Sequence, residues 1–99
     1  MTLQLLYFDD CPHWTVTEAR LHEALRATGR TDVVERVLVT TTEEAEARGF
    51  LGSPSVQVDG RDPFAEPGAR TGLSCRLYRT PDGPAGAPTV DQLIEALAR

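Results

Sequence analysis

Cys11 is the residue of this sequence best placed to do chemistry. It lies in the stretch YFDDCPHW, residues 7–14, where C-P-H-W has the spacing of a redox C-x-x-C motif. Trp14 stands where the second thiol of such a motif would be. The thiolate is the nucleophilic form of cysteine, and the N–H groups and dipole at a helix N-terminus stabilise it. Cys11 is therefore either a reactive thiol or a small residue packed at the end of a strand.

The neighbours of Cys11 act on its thiol in opposite directions. We predict that Cys11 is the N-cap of a helix and that Pro12 takes the first helical position, where no N–H is needed. A protonated His13 would stabilise a thiolate, whereas the carboxylates of Asp9 and Asp10 would destabilise it. The sequence alone does not fix the balance between them.

Trp14 excludes a disulfide within the C-P-H-W motif. The chemistry left to Cys11 alone is a mixed disulfide, a sulfenic acid or the binding of a soft metal. We predict that Trp14 anchors its helix in the core, with a platform for substrate as the alternative. His13 is predicted to be solvated, with a role as partner of a thiolate as the alternative.

Cys75 is the second thiol and lies in a predicted strand at residues 73–79, on the face that strand alternation makes apolar. A simple hairpin would place it opposite Val58 or Asp59. At 3.3 Å per residue this is on the order of 13 Å from the edge of the sheet where Cys11 lies, whereas a disulfide needs Cα atoms within about 7 Å. The long loop at residues 60–72 leaves the register free, however, so two roles stay open for Cys75: buried structural thiol, or resolving or co-ligand thiol.

Hydrophobic periodicity and turn residues predict the element order βαβαββα, an α/β sandwich. Helices between the first three strands indicate parallel pairing, and the last two strands are close enough for an antiparallel hairpin. Two helices carry capping-box residues at their starts, and glycines stop the first two helices. The predicted strands are 3–8, 33–39, 54–60 and 73–79; the predicted helices are 12–28, 41–48 and 90–99, with capping pairs Thr41/Glu44 and Thr89/Gln92 and stops at Gly29 and Gly49.

Two further segments, 60–72 and 80–88, are predicted to be irregular because both are rich in proline and glycine. The first is either a lid over a pocket or an exposed connector. Its residues of interest are Arg61, Asp62, Phe64 and Arg70. Arg76 and Arg79 on the predicted fourth strand are expected to pair with surface acids, with binding of glutathione as the alternative.

Composition limits the class of protein. The 99 residues are enough for one domain with a core, and the net charge of -5 argues against a nucleic-acid partner. No apolar run approaches the roughly 20 residues that span a membrane. The start of the chain lacks the basic region of a signal peptide, so we expect a cytoplasmic protein with free thiols.

Three landmarks together resemble the thioredoxin fold in its compact, glutaredoxin-like form: a cysteine directly after the first strand, GSPSV before the third strand, and a final helix. The stretches CP.W, DGRDPF and CRLYRT also resemble those of small bacterial thioredoxin-like proteins. The resemblance implies a single thioredoxin-like domain, 1–99, with a four-stranded mixed sheet. It further implies a cis-proline at Pro54 facing Cys11, and a substrate contact at Ser53.

Three functions remain as hypotheses. The first is a thiol–disulfide oxidoreductase in which Cys11, alone or with Cys75, attacks a disulfide of a protein or small molecule. Its substrate-binding residues would be Pro12, His13, Trp14, Ser53 and Pro54. The second is a soft-metal or organomercurial handler that uses both thiols and an acid such as Asp10. The third is a non-enzymatic accessory module of thioredoxin-like fold. None requires an organic cofactor or a resident metal, and the sequence does not indicate an oligomeric state.

Overall fold

The computed structural model describes residues 1–98 and confirms a mixed α/β fold with three helices. The predicted four-stranded sheet is wrong, because the strands form a three-stranded sheet in the order β2-β1-β3 and a separate two-stranded sheet, β4-β5. The last predicted helical residue, Arg99, lies outside the described residues. The elements are β1 Leu3–Tyr7, α1 His13–Thr28, β2 Val34–Leu38, α2 Thr42–Arg48, β3 Ser55–Val58, β4 Tyr78–Thr80, β5 Gly83–Ala85 and α3 Val90–Ala98.

β1 is the central strand of the larger sheet. It pairs in parallel with β2, with Leu3 opposite Val34, and antiparallel with β3, with Leu3 opposite Val58. Parallel pairing of all three strands, as expected from the sequence, is therefore wrong for β3. The reason is the length of α2: seven residues rise only about 10 Å, less than the roughly 17 Å of a five-residue strand. The chain therefore enters β3 at the edge where β1 ends.

The two faces of the larger sheet are buried by different helices. Leu3 and Leu5 of β1 pack with apolar residues of α1 and α3. Leu6 faces the opposite way and packs with Ala45 of α2 and with Phe50. This alternation of side chains along β1 gives the strand an apolar environment on both faces.

The predicted capping boxes are confirmed. Glu44 N–H donates to Thr41 Oγ1 over 3.1 Å at the start of α2. At the start of α3, Gln92 N–H donates to Thr89 Oγ1 over 3.1 Å, and Thr89 N–H donates to Gln92 Oε1 over 2.9 Å. The stop at Gly29 is also confirmed, with φ 72° at the end of α1. Helix α1 itself begins at His13, one residue later than predicted.

The predicted strand at 73–79 is wrong in extent and in pairing. Only its last two residues belong to β4, which pairs with β5 inside the segment predicted to be irregular. The turn between them is closed by Thr80, whose hydroxyl donates to the Gly83 carbonyl over 2.5 Å and accepts from Asp82 N–H over 3.2 Å. Upstream, Cys75 forms one isolated parallel bridge with Ser53.

Within residues 1–98, none of the helices combines the length and the apolar character needed to cross a membrane.

Candidate functional site

Ser53 is the point where three segments of the chain meet. Its N–H donates to the Ser74 carbonyl over 2.8 Å, and its carbonyl accepts from Arg76 N–H over 2.9 Å. Its hydroxyl accepts from Phe8 N–H over 3.3 Å, just beyond the end of β1. The residue has no exposed surface. Ser53 therefore joins residues 74–76 to the edge of the sheet where β1 ends.

Cys11 lies at this same junction. Its thiol donates to the Ser53 carbonyl over 3.2 Å, and its N–H donates to the Phe8 carbonyl over 3.3 Å. The side chain is fully buried, with 0% exposure. Pro12, rather than Cys11, is the N-cap of α1. The prediction that Cys11 caps the helix is wrong by one residue, because its side chain turns inward to Ser53 and leaves the helix end.

Cys75 reaches Cys11. It is bridged to Ser53 in parallel, and the pKa of its thiol is raised above the ordinary value, chiefly by side-chain hydrogen bonding to Cys11 and secondly by desolvation. Both thiols are free; Cys11 is buried and Cys75 is exposed. The hairpin register that separated the two cysteines is wrong, because the chain around Cys75 runs parallel beside Ser53 instead of antiparallel along β3. The expected burial of Cys75 fails for the same reason.

Gly52 permits the close approach of residues 74–76. A Cβ at this position would lie 3.0 Å from the Ser74 carbonyl oxygen and 3.2 Å from Arg76 Cβ. The φ of Gly52 is +109°, a conformation that L side chains rarely adopt. In the sequence, Gly52 is marked only by its position one residue before the S-P pair of the GSPSV stretch, and no role was predicted for it.

The Ser53–Pro54 peptide bond is cis, as the resemblance implied. Pro54 is buried, and its carbonyl accepts a hydrogen bond from the Tyr78 hydroxyl. Burial of that phenol raises its pKa. This hydrogen bond connects β4 to Pro54, the residue between Ser53 and the start of β3.

Trp14 is partly buried and packs against the apolar cluster formed by β1, α1 and α3, as expected of a residue that anchors its helix in the core. Its ring stacks on Tyr7 of β1 with centroids 4.4 Å apart, and the Arg36 guanidinium lies 5.2 Å from its centroid. Pro12 and His13 are exposed. The ring of His13 packs on Gly86, where an added Cβ would come within 2.5 Å of it. Of the predicted substrate-binding residues, Ser53 thus contacts the Cys11 thiol and is bridged to Cys75. Pro54 follows it in the chain, and the other three lie at the start of α1.

The loop at 60–72 is anchored through Arg76. This guanidinium donates to Asp62 over 2.5 Å and to the Phe64 carbonyl over 3.0 Å. The side chains of Arg76 and Asp62 are only 10% and 5% exposed. A surface partner for Arg76, as expected from the sequence, is therefore wrong: the pair is buried. Arg79 does pair at the surface, with Glu66 over 3.4 Å.

An open groove of about 370 Å³ lies beside Cys75. Its lining includes Leu51, Arg70, Leu77 and Arg79 in addition to Cys75. Cys11 does not line it. The exposed thiol therefore faces a space large enough for a small molecule or a short piece of chain.

Within residues 1–98, no cluster of three or more His, Cys, Asp or Glu side chains could hold a metal ion. A three-ligand site formed by the two thiols and Asp10 is thus not present.

The comparisons with known proteins return no match: no family model, no curated protein and no solved structure is significantly similar to this chain.

Proposed function

We propose that this protein is a thiol–disulfide oxidoreductase in which Cys11 and Cys75 cycle between a dithiol and a disulfide. The observation that carries the proposal is the meeting of the two thiols at Ser53. The Cys11 thiol donates a hydrogen bond to the Ser53 carbonyl, and Cys75 forms a backbone bridge with the same residue. Hydrogen bonding to Cys11 raises the pKa of the Cys75 thiol. The second thiol, absent from the C-P-H-W motif, would thus come from a distant part of the chain.

The chemistry requires only the two sulfurs and a partner. Closing the Cys11–Cys75 bond releases two electrons and two protons, which reduce the disulfide of a partner to two thiols. The reverse reaction oxidises two partner thiols. Both sulfurs are reduced and unbonded in the structure, so it corresponds to the dithiol form.

Features beyond the two thiols support the proposal. The cysteine after β1 and the cis-proline before β3 stand at the positions that the resemblance to thioredoxin-like proteins implies. Residues 74–76 occupy both backbone hydrogen-bonding groups of Ser53, which holds Cys75 beside Cys11 with no need for an external partner. These contacts favour an intramolecular pair over monothiol chemistry.

The test is redox titration of the purified protein in buffers of reduced and oxidised dithiothreitol. Free thiols are trapped with N-ethylmaleimide in 6 M guanidinium chloride, which exposes the buried Cys11, and are counted by mass spectrometry. We expect wild-type protein to lose both reactive thiols together in one two-electron transition, and Cys11→Ser and Cys75→Ser to show no such transition. If both thiols of the wild type stay free at the most oxidising ratio, the proposal is wrong.

A shifted variant controls for chance oxidation. Ser74→Cys combined with Cys75→Ser keeps the composition and moves the second thiol by one residue, to the other face of the segment. We expect this variant not to close the bond with Cys11. Closure as complete as in wild type would mean that the contact at Ser53 does not select the pair.

A further inference from the structure

The two thiols of the proposed pair differ sharply in access. Cys11 has no exposed surface and is covered by the Ser53 carbonyl and by residues at the end of β1. Cys75 is exposed and lines the groove of about 370 Å³. A molecule in that groove would therefore meet the sulfur of Cys75 first, with Cys11 behind it on the protein side.

We infer that a partner thiol or disulfide in the groove reacts with the sulfur of Cys75. Cys11 is then the buried sulfur that is expelled when the Cys11–Cys75 disulfide opens and that attacks Cys75 when the disulfide closes again. This inference rests on the proposed function. It reverses the order implied by the resemblance, in which the cysteine after the first strand attacks the partner. The occupant of the groove is a thiol compound, or its disulfide, small enough to bring one sulfur to Cys75.

The exchange can be written as two displacements, starting from the disulfide form. A partner thiolate attacks Cys75 Sγ, the Cys11–Cys75 bond breaks, and its electron pair leaves on Cys11, which takes a proton from solvent. A second partner thiolate then attacks the partner sulfur of the mixed disulfide and releases Cys75 as a thiolate, which takes up the second of the two protons that the partner thiols gave up. In total, two partner thiols become one disulfide, and the protein disulfide becomes two thiols.

The burial of Cys11 favours attack at Cys75. Thiol–disulfide exchange depends on the access of the attacking thiolate to the sulfur that it attacks. Attack at Cys75 requires no opening of the core, whereas attack at Cys11 requires the Ser53 carbonyl and the end of β1, which cover it, to move aside.

The test compares the two single-thiol variants in their reaction with 5,5′-dithiobis(2-nitrobenzoate), followed by the absorbance of the released thiolate. In Cys11→Ser, the remaining Cys75 is exposed and free of the hydrogen bonding that raises its pKa. In Cys75→Ser, the remaining Cys11 is buried. We expect Cys75→Ser to react at least about tenfold more slowly than Cys11→Ser, because access controls exchange.

Each other outcome is informative. Equal rates, or a faster reaction of Cys75→Ser, would overturn the inference. The same reaction in 6 M guanidinium chloride is the control, where the two variants should react alike because the fold no longer shields either thiol. A failure of wild-type protein to form the Cys11–Cys75 bond would instead refute the proposed function, since the rates of the single-thiol variants do not depend on that bond.

Discussion

The three-stranded sheet with its three helices and the segment between β3 and α3, residues 59–88, are stabilised in different ways. The first region buries apolar side chains on both faces of its sheet, with Leu5 against α1 and α3 and Leu6 against α2. The second region packs Phe64 on that core and is held together by the buried Arg76–Asp62 pair. Polar contacts fix it to the first region: Arg76 donates to the Ser55 hydroxyl over 3.2 Å, and the Tyr78 hydroxyl donates to the Pro54 carbonyl.

The difference bears directly on the thiols. Apolar burial is non-directional, whereas a charge-assisted bond between an arginine and a carboxylate requires a specific geometry of its partners. Arg76 and Tyr78 point inward, and Leu77 between them is 72% exposed. Cys75 is therefore placed at Ser53 by the polar side chains that follow it.

Removing the Arg76 side chain should have the largest effect. In Arg76→Ala the carboxylate of Asp62, only 5% exposed, would lose its partner, and breaking a buried pair in this way costs about 3–5 kcal/mol. We expect a loss of that size in the free energy of unfolding, measured by urea denaturation. Oxidation of the Cys11–Cys75 pair should become incomplete as well.

Arg79→Ala is the matched control for that change. Arg79 and Glu66 are 87% and 56% exposed, and exposed pairs contribute roughly 0–1 kcal/mol. We expect Arg79→Ala to unfold nearly like wild type. Equal losses in the two variants would mean that the polar contacts of residues 59–88 are not what holds this region.

A smaller effect is expected at Gly52, where the two regions touch. In Gly52→Ala the new Cβ would meet the Ser74 carbonyl oxygen at 3.0 Å with φ at +109°. Strain of this kind costs roughly 1–3 kcal/mol. We expect the variant to displace residues 74–76 and to slow closure of the Cys11–Cys75 bond, measured by thiol trapping after addition of diamide.

Gly29→Ala provides the comparison. Gly29 also has a positive φ, +72°, but no atom lies within 4 Å of an added Cβ. It should therefore lose stability through backbone strain alone and close the disulfide at the wild-type rate. Similar slowing in both variants would attribute the effect to general destabilisation and not to the approach of Ser74.

The same division explains what the sequence could predict. The caps at Thr41 and Thr89 and the stop at Gly29 depend on residues three or four apart, so local pattern is sufficient. The pairing of Asp62 with Arg76 joins residues 14 apart in sequence across an irregular loop, and no periodicity marks it. Alternation along 73–79 correctly predicts a strand segment with two different faces, but it places the apolar face in the core. The buried face is the one with Arg76, because Asp62 offsets its charge there.

The candidate site was predictable to a similar degree. Cys11 and Pro54 follow from their positions after β1 and before β3, and the cis bond before Pro54 agrees with the resemblance. The contact of Cys75 with Cys11 does not follow from the sequence, because the register of residues 73–77 depends on Arg76 and Gly52. The exposure of the two thiols could not be derived either, since strand alternation assigned Cys75 to the interior.

The smallest expected effect concerns the Tyr78 hydroxyl. In Tyr78→Phe the buried Pro54 carbonyl loses its hydrogen-bond donor, which costs about 1 kcal/mol near neutral pH. Burial raises the pKa of Tyr78 in the folded protein, so the folded state keeps a proton that the unfolded state releases near pH 10. The contribution of Tyr78 to the free energy of unfolding is therefore complete below pH 10. Above pH 10 it falls by up to about 1.4 kcal/mol per pH unit.

Urea denaturation between pH 8 and 11 would separate this contribution from other groups. Tyr78→Phe should lose less stability over that range than wild type, because it lacks the group that titrates only on unfolding. Tyr7→Phe leaves Tyr78 in place and should keep the wild-type dependence. If Tyr78→Phe and wild type fall in parallel with pH, the phenol is reached by solvent and does not act as a buried contact between β4 and the residue before β3.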